Sequence, residues 1–145
     1  MNILDLWDEE DAKAPKRDEH ILVVDDEPDV REGLANLLSM EGYTVTTAEN
    51  GAVALERAKS HEFDLVLTDL RMPGISGVET LVGLKKLHPD LKVIVLTGFA
   101  SDATVGDCML KGAYGCVLKP FNLDELLSQI EKAISEGRPP RQQPS

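Results

Sequence analysis

Tryptophan occurs once in this chain, cysteine twice, and aromatic residues of all kinds make up only 4% of it. The longest apolar runs, such as Val93-Ile94-Val95-Leu96, are the size of a strand. A membrane helix needs about 20 apolar residues in a row, so no membrane span is expected. No basic segment leading into an apolar stretch opens the chain, and no secretory signal is read there. Cys108 and Cys116 have neither a CxxC nor a zinc-ligand spacing, which makes them small, reduced core residues of a cytoplasmic protein. Positive charge is also short: the net charge is −11, most of it within residues 20–136. Nucleic acid and anionic membranes would repel such a chain, so direct binding to either is not expected. The acidity leaves a solvated surface, or carboxylates gathered to hold a cation.

What is present fits one soluble domain. With 145 residues, 42% hydrophobic and 28% charged, the chain can bury about two-thirds of its unfolded surface without disulfides or metals. Residues 1–19 lack a sustained period and hold a short apolar cluster of Ile3, Leu4, Leu6 and Trp7 before an acidic run. They read as a flexible acidic tail, with a docking motif or a packed helical turn as the rival. From residue 20 to 136, strand-like and helix-like stretches alternate. Ile21-Leu22-Val23-Val24 ends at Asp25-Asp26-Glu27-Pro28, and Pro28 suits a first helical turn. Tyr43 to Thr47 alternates like a strand, and Asn50-Gly51 leads into a second helix. Phe63 to Leu67 is the third strand. Ser76 and Glu79 form a capping-box pattern for the third helix. Lys92 to Leu96 is the fourth strand, Ser101 to Lys111 a weak helix containing Gly106, and Gly115 to Leu118 the fifth strand. Asn122 with Glu125 opens the last helix, and residues 137–145 read as a proline-rich tail or linker. Five strands alternating with five helices predict a doubly wound parallel sheet in the flavodoxin-like order 2-1-3-4-5.

In that order the switch point lies between the carboxyl ends of strands 1 and 3, where α/β proteins place their chemistry. Strand 1 ends at Asp25-Asp26, strand 3 at Asp69, strand 4 at Thr97 and strand 5 at Lys119-Pro120. Three carboxylates, one hydroxyl and one ammonium therefore share a rim. Clustered acids resist ionising together unless a cation lies among them, and oxygen ligands suit Mg2+. A carboxylate can also serve as the nucleophile in forming an aspartyl-phosphate, with a lysine and a hydroxyl to hold the phosphoryl oxygens. Each residue has an ordinary alternative: Asp69 a strand-end acid, Asp25-Asp26 caps of helix 1, Thr97 and Lys119 solvated loop groups. Their convergence on one rim favours the functional reading. The three histidines, His20, His61 and His88, fall at separate element ends and suggest neither a metal cluster nor a phosphodonor.

The segments ILVVDDEPDVREGL, DLVLTDLRMPGISGVE, VIVLTG and KGAYGCVLKPFNLDEL resemble those of a response-regulator receiver domain of two-component signalling. The resemblance spans about residues 20–136 and covers four of the five strand ends. It implies that Asp69 accepts a phosphoryl group from a sensor histidine kinase or a phosphotransfer protein. It further implies that Asp26, Asp69 and the backbone carbonyl of Arg71 hold Mg2+, with Asp25 acting mainly through water. Thr97 and Lys119 would grip the phosphoryl oxygens, and the Lys119-Pro120 bond is expected to be cis. Arg71 and Phe99 would border the phosphoryl group. A downstream effector protein would read the switched surface, and a phosphorylation-dependent homodimer is among the expected outcomes. Such a protein catalyses only its own phosphorylation and dephosphorylation and is no conventional enzyme.

One position departs from the family pattern. Many receivers carry Tyr or Phe three residues before the lysine; this chain has Cys116 there, and Tyr114 two residues earlier. A thiol cannot report activation by a ring rotation, which puts the coupling to the fifth strand and its flanking helices in doubt. A pseudo-receiver that binds proteins without using phosphorylation is the alternative this supports. An aspartate-nucleophile phosphatase is the third reading, but the expected DxD at strand 1 is missing.

Overall fold

The computed structural model describes residues 18–71, 74–98 and 102–137. Strand β1 (His20–Val24) is followed by α1 (Pro28–Met40), β2 (Thr44–Ala48), α2 (Gly51–Ser60) and β3 (Leu65–Asp69). Then come α3 (Gly77–Leu87), β4 (Lys92–Thr97), α4 (Asp102–Leu110), β5 (Gly115–Leu118) and α5 (Leu123–Gly137). All pairings are parallel and the order is β2-β1-β3-β4-β5. The expected doubly wound, flavodoxin-like architecture is therefore observed.

The unbroken apolar runs of β1, β3 and β4 are explained by helices on both sheet faces. Leu22, Val24, Val66, Val93 and Val95 share one core with Ala54 and Ala58 of α2, Leu81 and Leu84 of α3, and Cys108 of α4. Ile21, Val23, Leu65, Leu67, Ile94 and Leu96 point the other way, onto Leu34 and Leu38 of α1 and Leu126, Ile130 and Ala133 of α5. Alternation along each strand divides its residues between the two layers. Burying one Leu or Ile fully contributes about 1.5–3 kcal/mol, so these two layers dominate the fold's stability.

Local signals set the helix starts. Asn50 accepts from the Val53 N–H at 2.8 Å to cap α2. Ser76 Oγ accepts from the Glu79 N–H at 3.1 Å while Glu79 accepts from the Ser76 N–H at 2.9 Å, which is the capping box expected for α3. Asn122 Oδ1 accepts from both Asp124 and Glu125 N–H groups ahead of α5. Helix α1 has Pro28 in its first turn, but its N-cap is Glu27 and carries no side-chain cap. Neither Asp25 nor Asp26 caps it. The weak helix is Asp102–Leu110, ending one residue before the expected Lys111, and Ser101 lies outside the described residues. The tail with Trp7, the Phe99 position and residues 138–145 lie outside the described residues.

Candidate functional site

Strand register brings the ends of β1, β3, β4 and β5 together. Val24 is level with Thr68, Asp69 with Leu96, and Thr97 with Leu118, so the residues following β1 and β5 flank the end of β3 and β4. The backbone at the end of β3 is packed closely against Gly77 at the start of α3. The Gly77 N–H donates to the Leu70 carbonyl at 2.9 Å. A Cβ at Gly77 would lie 2.5 Å from the Asp69 carbonyl oxygen and 2.5 Å from Leu70 Cα, so only glycine lets α3 start this close to the strand end.

Lys119 joins the carboxylates. Its Nζ lies 3.3 Å from Asp69 Oδ2 and 3.3 Å from Asp25 Oδ2. Asp25 has no solvent exposure, Asp69 is 6% exposed and Thr97 1%, so the hydroxyl and both acids sit below the surface. Asp69 Oδ1 faces the Arg71 N–H at 3.4 Å, and the Lys119 N–H donates to the Thr97 carbonyl at 2.8 Å. The Lys119-Pro120 bond is cis.

The electrostatics follow from that burial. Desolvation pushes the Asp69 carboxyl above the ordinary carboxylate range; Lys119 opposes this, Asp25 reinforces it, and the Arg71 N–H opposes it. Burial alone would pull the Lys119 amine down, but Asp25 and Asp69 together hold it above its ordinary value. Lys119 is thus a firmly charged ammonium, whereas Asp69 is a carboxylate under strain from desolvation and a like charge.

The carboxylates that could share one cation among the described residues are Asp25, Glu27 and Asp69, whose oxygens lie within 4.8 Å of one another. Asp26 is half-buried and outside that group. Sequence reasoning passed over Glu27, although it stands third in the Asp-Asp-Glu run. It also passed over Arg31, whose Nη1 donates to the Asp25 carbonyl at 3.0 Å. Tyr114 does not take the place of a switch aromatic: its hydroxyl donates to Glu136 at 3.1 Å and its ring lies under Lys92 Nζ at 5.3 Å. Cys116 is half-buried beside Val95.

The histidines lie away from the rim. His20 stacks edge-on against Phe63 with ring centres 4.7 Å apart, His61 lies 6.2 Å from the same ring, and His88 meets the Ala58 carbonyl.

A flavodoxin-like sheet whose switch point gathers strand-end acids around a lysine defines a CheY-like signalling domain. The family model for the response regulator receiver domain matches residues 21–131, and the chain belongs to that family. Receiver domains are the regulatory modules of two-component systems. The chain is similar to the receiver protein CpdR of Brucella abortus, 39% identical over 79% of this chain and 95% of that one. It is also 39% identical to the DNA-binding transcriptional regulator NtrC of Escherichia coli, over 79% of this chain but only 24% of NtrC, so it spans about a quarter of that regulator. Among solved structures, the Thermotoga maritima response regulator TrrA, in complex with Mg2+ and BeF, superposes with a TM-score of 0.73 and 43% identity, covering 79% of this chain and 98% of that one.

Proposed function

We propose that this receiver takes a phosphoryl group onto Asp69 from the phosphohistidine of a sensor histidine kinase or phosphotransfer protein, and thereby alters a surface read by an effector protein. The observation that carries the reading is the Lys119 ammonium set 3.3 Å from the carboxylates of both Asp25 and Asp69. In the reaction an Asp69 carboxylate oxygen attacks phosphorus, the bond from phosphorus to the donor imidazole nitrogen breaks, and that nitrogen keeps the electron pair and takes up a proton. Lys119 is already charged and turns from carboxylate to phosphoryl oxygen. The Thr97 hydroxyl donates to a second phosphoryl oxygen. Both act by position and charge, which is where phosphoryl transfer draws most of its acceleration.

The donor set suits Mg2+: it is all oxygen, tightly grouped, and includes a carboxyl that burial and a like charge have pushed up. The grouped carboxylates of Asp69, Asp25 and Glu27 would hold the ion with the Arg71 carbonyl, and Asp26 would join them by turning inward from outside that group. When bound, Mg2+ neutralises charge on the transferring group.

Met109, Leu110, Leu118 and Leu123 are exposed apolar residues on α4, β5 and the start of α5, and they offer a surface for an effector or a second copy of the chain. No helix among the described residues is long and apolar enough to cross a membrane.

The test is intact-mass measurement after acetyl phosphate and Mg2+. One phosphoryl group should appear, and Asp69→Asn should abolish it; an unmodified wild-type chain would sink the proposal. Cys116 favours a second reading, a pseudo-receiver that binds proteins without phosphorylation. Normal signalling output from an Asp69→Ala chain in cells would establish that reading instead.

A further inference from the structure

Every polar atom of Asp25 has a partner. Its N–H donates to the Ala48 carbonyl at 3.2 Å, its Oδ1 accepts from the Glu27 N–H at 2.9 Å, and its Oδ2 meets Lys119 at 3.3 Å. The last polar atom, its carbonyl oxygen, accepts from the Arg31 guanidinium at 3.0 Å. Arg31 is itself fixed, since its backbone N–H donates to the Glu27 carbonyl at 2.9 Å as α1 begins. The helical backbone thus holds the Glu27 end of the turn, and the Arg31 side chain ties its Asp25 end back to α1.

We propose that Arg31 is a positioning residue of this site, holding the β1–α1 turn so that its carboxylates face Asp69 and so that Asp25 holds Lys119 in line. The inference rests on the acidic rim being the cation and phosphoryl site argued above, and it adds a residue that touches neither ligand. Such outer partners orient the groups in direct contact, and their loss typically weakens a metal site by tenfold or more.

Charge and positioning predict opposite results here. Arg31 is a cation near a site for a cation, so deleting its charge alone would tighten Mg2+ binding. If it acts by bracing the turn, deletion weakens binding although a repulsive charge has gone. The experiment is a Mg2+ titration of the full chain followed by amide spectra, on the wild type, Arg31→Met and Arg31→Lys, with thermal melting as a check on folding. Arg31→Ala, which keeps a good helix former, serves as the second deletion variant. We expect about a tenfold weaker Mg2+ affinity for Arg31→Met and Arg31→Ala, with most of the loss recovered in Arg31→Lys, whose amine keeps a donor. Unchanged or tighter binding in either deletion variant overturns the proposal, as does a wild-type chain that binds no Mg2+. A wild-type chain that binds Mg2+ yet takes no phosphoryl group from acetyl phosphate defeats the phosphorylation reading alone, and the titration still decides the role of Arg31.

Discussion

Lys119 and Asp25 come from opposite ends of the domain's sequence and meet at 3.3 Å, with Asp25 wholly removed from solvent. A buried carboxylate tolerates this because a charged partner and the Glu27 N–H satisfy both of its oxygens. Removing one member of a buried pair leaves the other uncompensated, and such losses run to about 3–5 kcal/mol. Lys119→Met should therefore destabilise the fold by roughly 3 kcal/mol at neutral pH, read by urea unfolding. Adding Asp25→Asn should restore part of that loss, because the unpaired charge is gone. A double-mutant cycle showing simple additivity would mean the pair is not coupled.

Asp69 behaves in the opposite sense. Burial, opposed by Lys119 and reinforced by Asp25, raises its carboxyl above the unfolded value of 3.8. Between the unfolded and folded values the native state binds more protons, so stability falls as pH rises through that window. Asp69→Asn keeps the shape and removes the charge. It should raise stability at pH 7, read as a higher melting temperature, and flatten the curve in the acid range. A lower melting temperature at pH 7 would show that the Lys119 pair outweighs the burial cost.

Two glycines make a controlled comparison. Gly77 has backbone atoms of Asp69 and Leu70 within 2.5 Å of where a Cβ would stand, whereas Gly33 on α1 has nothing within 4 Å. Gly77→Ala must push α3 off the strand end and should cost about 1–3 kcal/mol while slowing phosphorylation at Asp69. Gly33→Ala should add about 0.5–1 kcal/mol by improving helix propensity, with phosphorylation unchanged. Melting curves and acetyl phosphate labelling on the two variants separate packing at the site from helix propensity elsewhere.

The parts of this molecule readable without coordinates are those decided by local pattern. Ile21 to Val24 and Val93 to Leu96 are apolar on both faces because two helical layers cover them, and that burial is what makes a continuous run legible as a strand. Strand order then followed from alternation and handedness, which placed Asp25, Asp69, Thr97 and Lys119 on one rim. Glu27 was not legible, because which of three successive acids turns toward Asp69 depends on the conformation of the β1–α1 turn. The reach of Arg31 to the Asp25 carbonyl is likewise a tertiary contact that helical spacing does not announce. Tyr114 lies two residues before Cys116 in the sequence, and its bond to Glu136 draws it toward α5, a tertiary contact that spacing does not announce.

The far end of the sheet supplies a pH dependence of its own. His20 Nε2 meets Thr46 Oγ1 at 2.7 Å, the His20 backbone N–H donates to Asp64 Oδ2 at 2.8 Å, and the imidazole ring lies against Phe63. Burial lowers the His20 imidazole below 6.5, His61 lowers it further, and Asp64 opposes them only in part. The sign here is that the unfolded chain takes up the proton first as pH falls, so stability is whole above pH 6.5 and drains away on acidification down to the folded value. Because the Asp69 slope runs the other way in acid, the His20 effect is best measured with Asp69→Asn as the parent. In that background, urea unfolding across the acid range should show stability falling with pH, and His20→Gln should flatten the part that falls just below neutrality. An equal slope with and without His20 would refute this role for it.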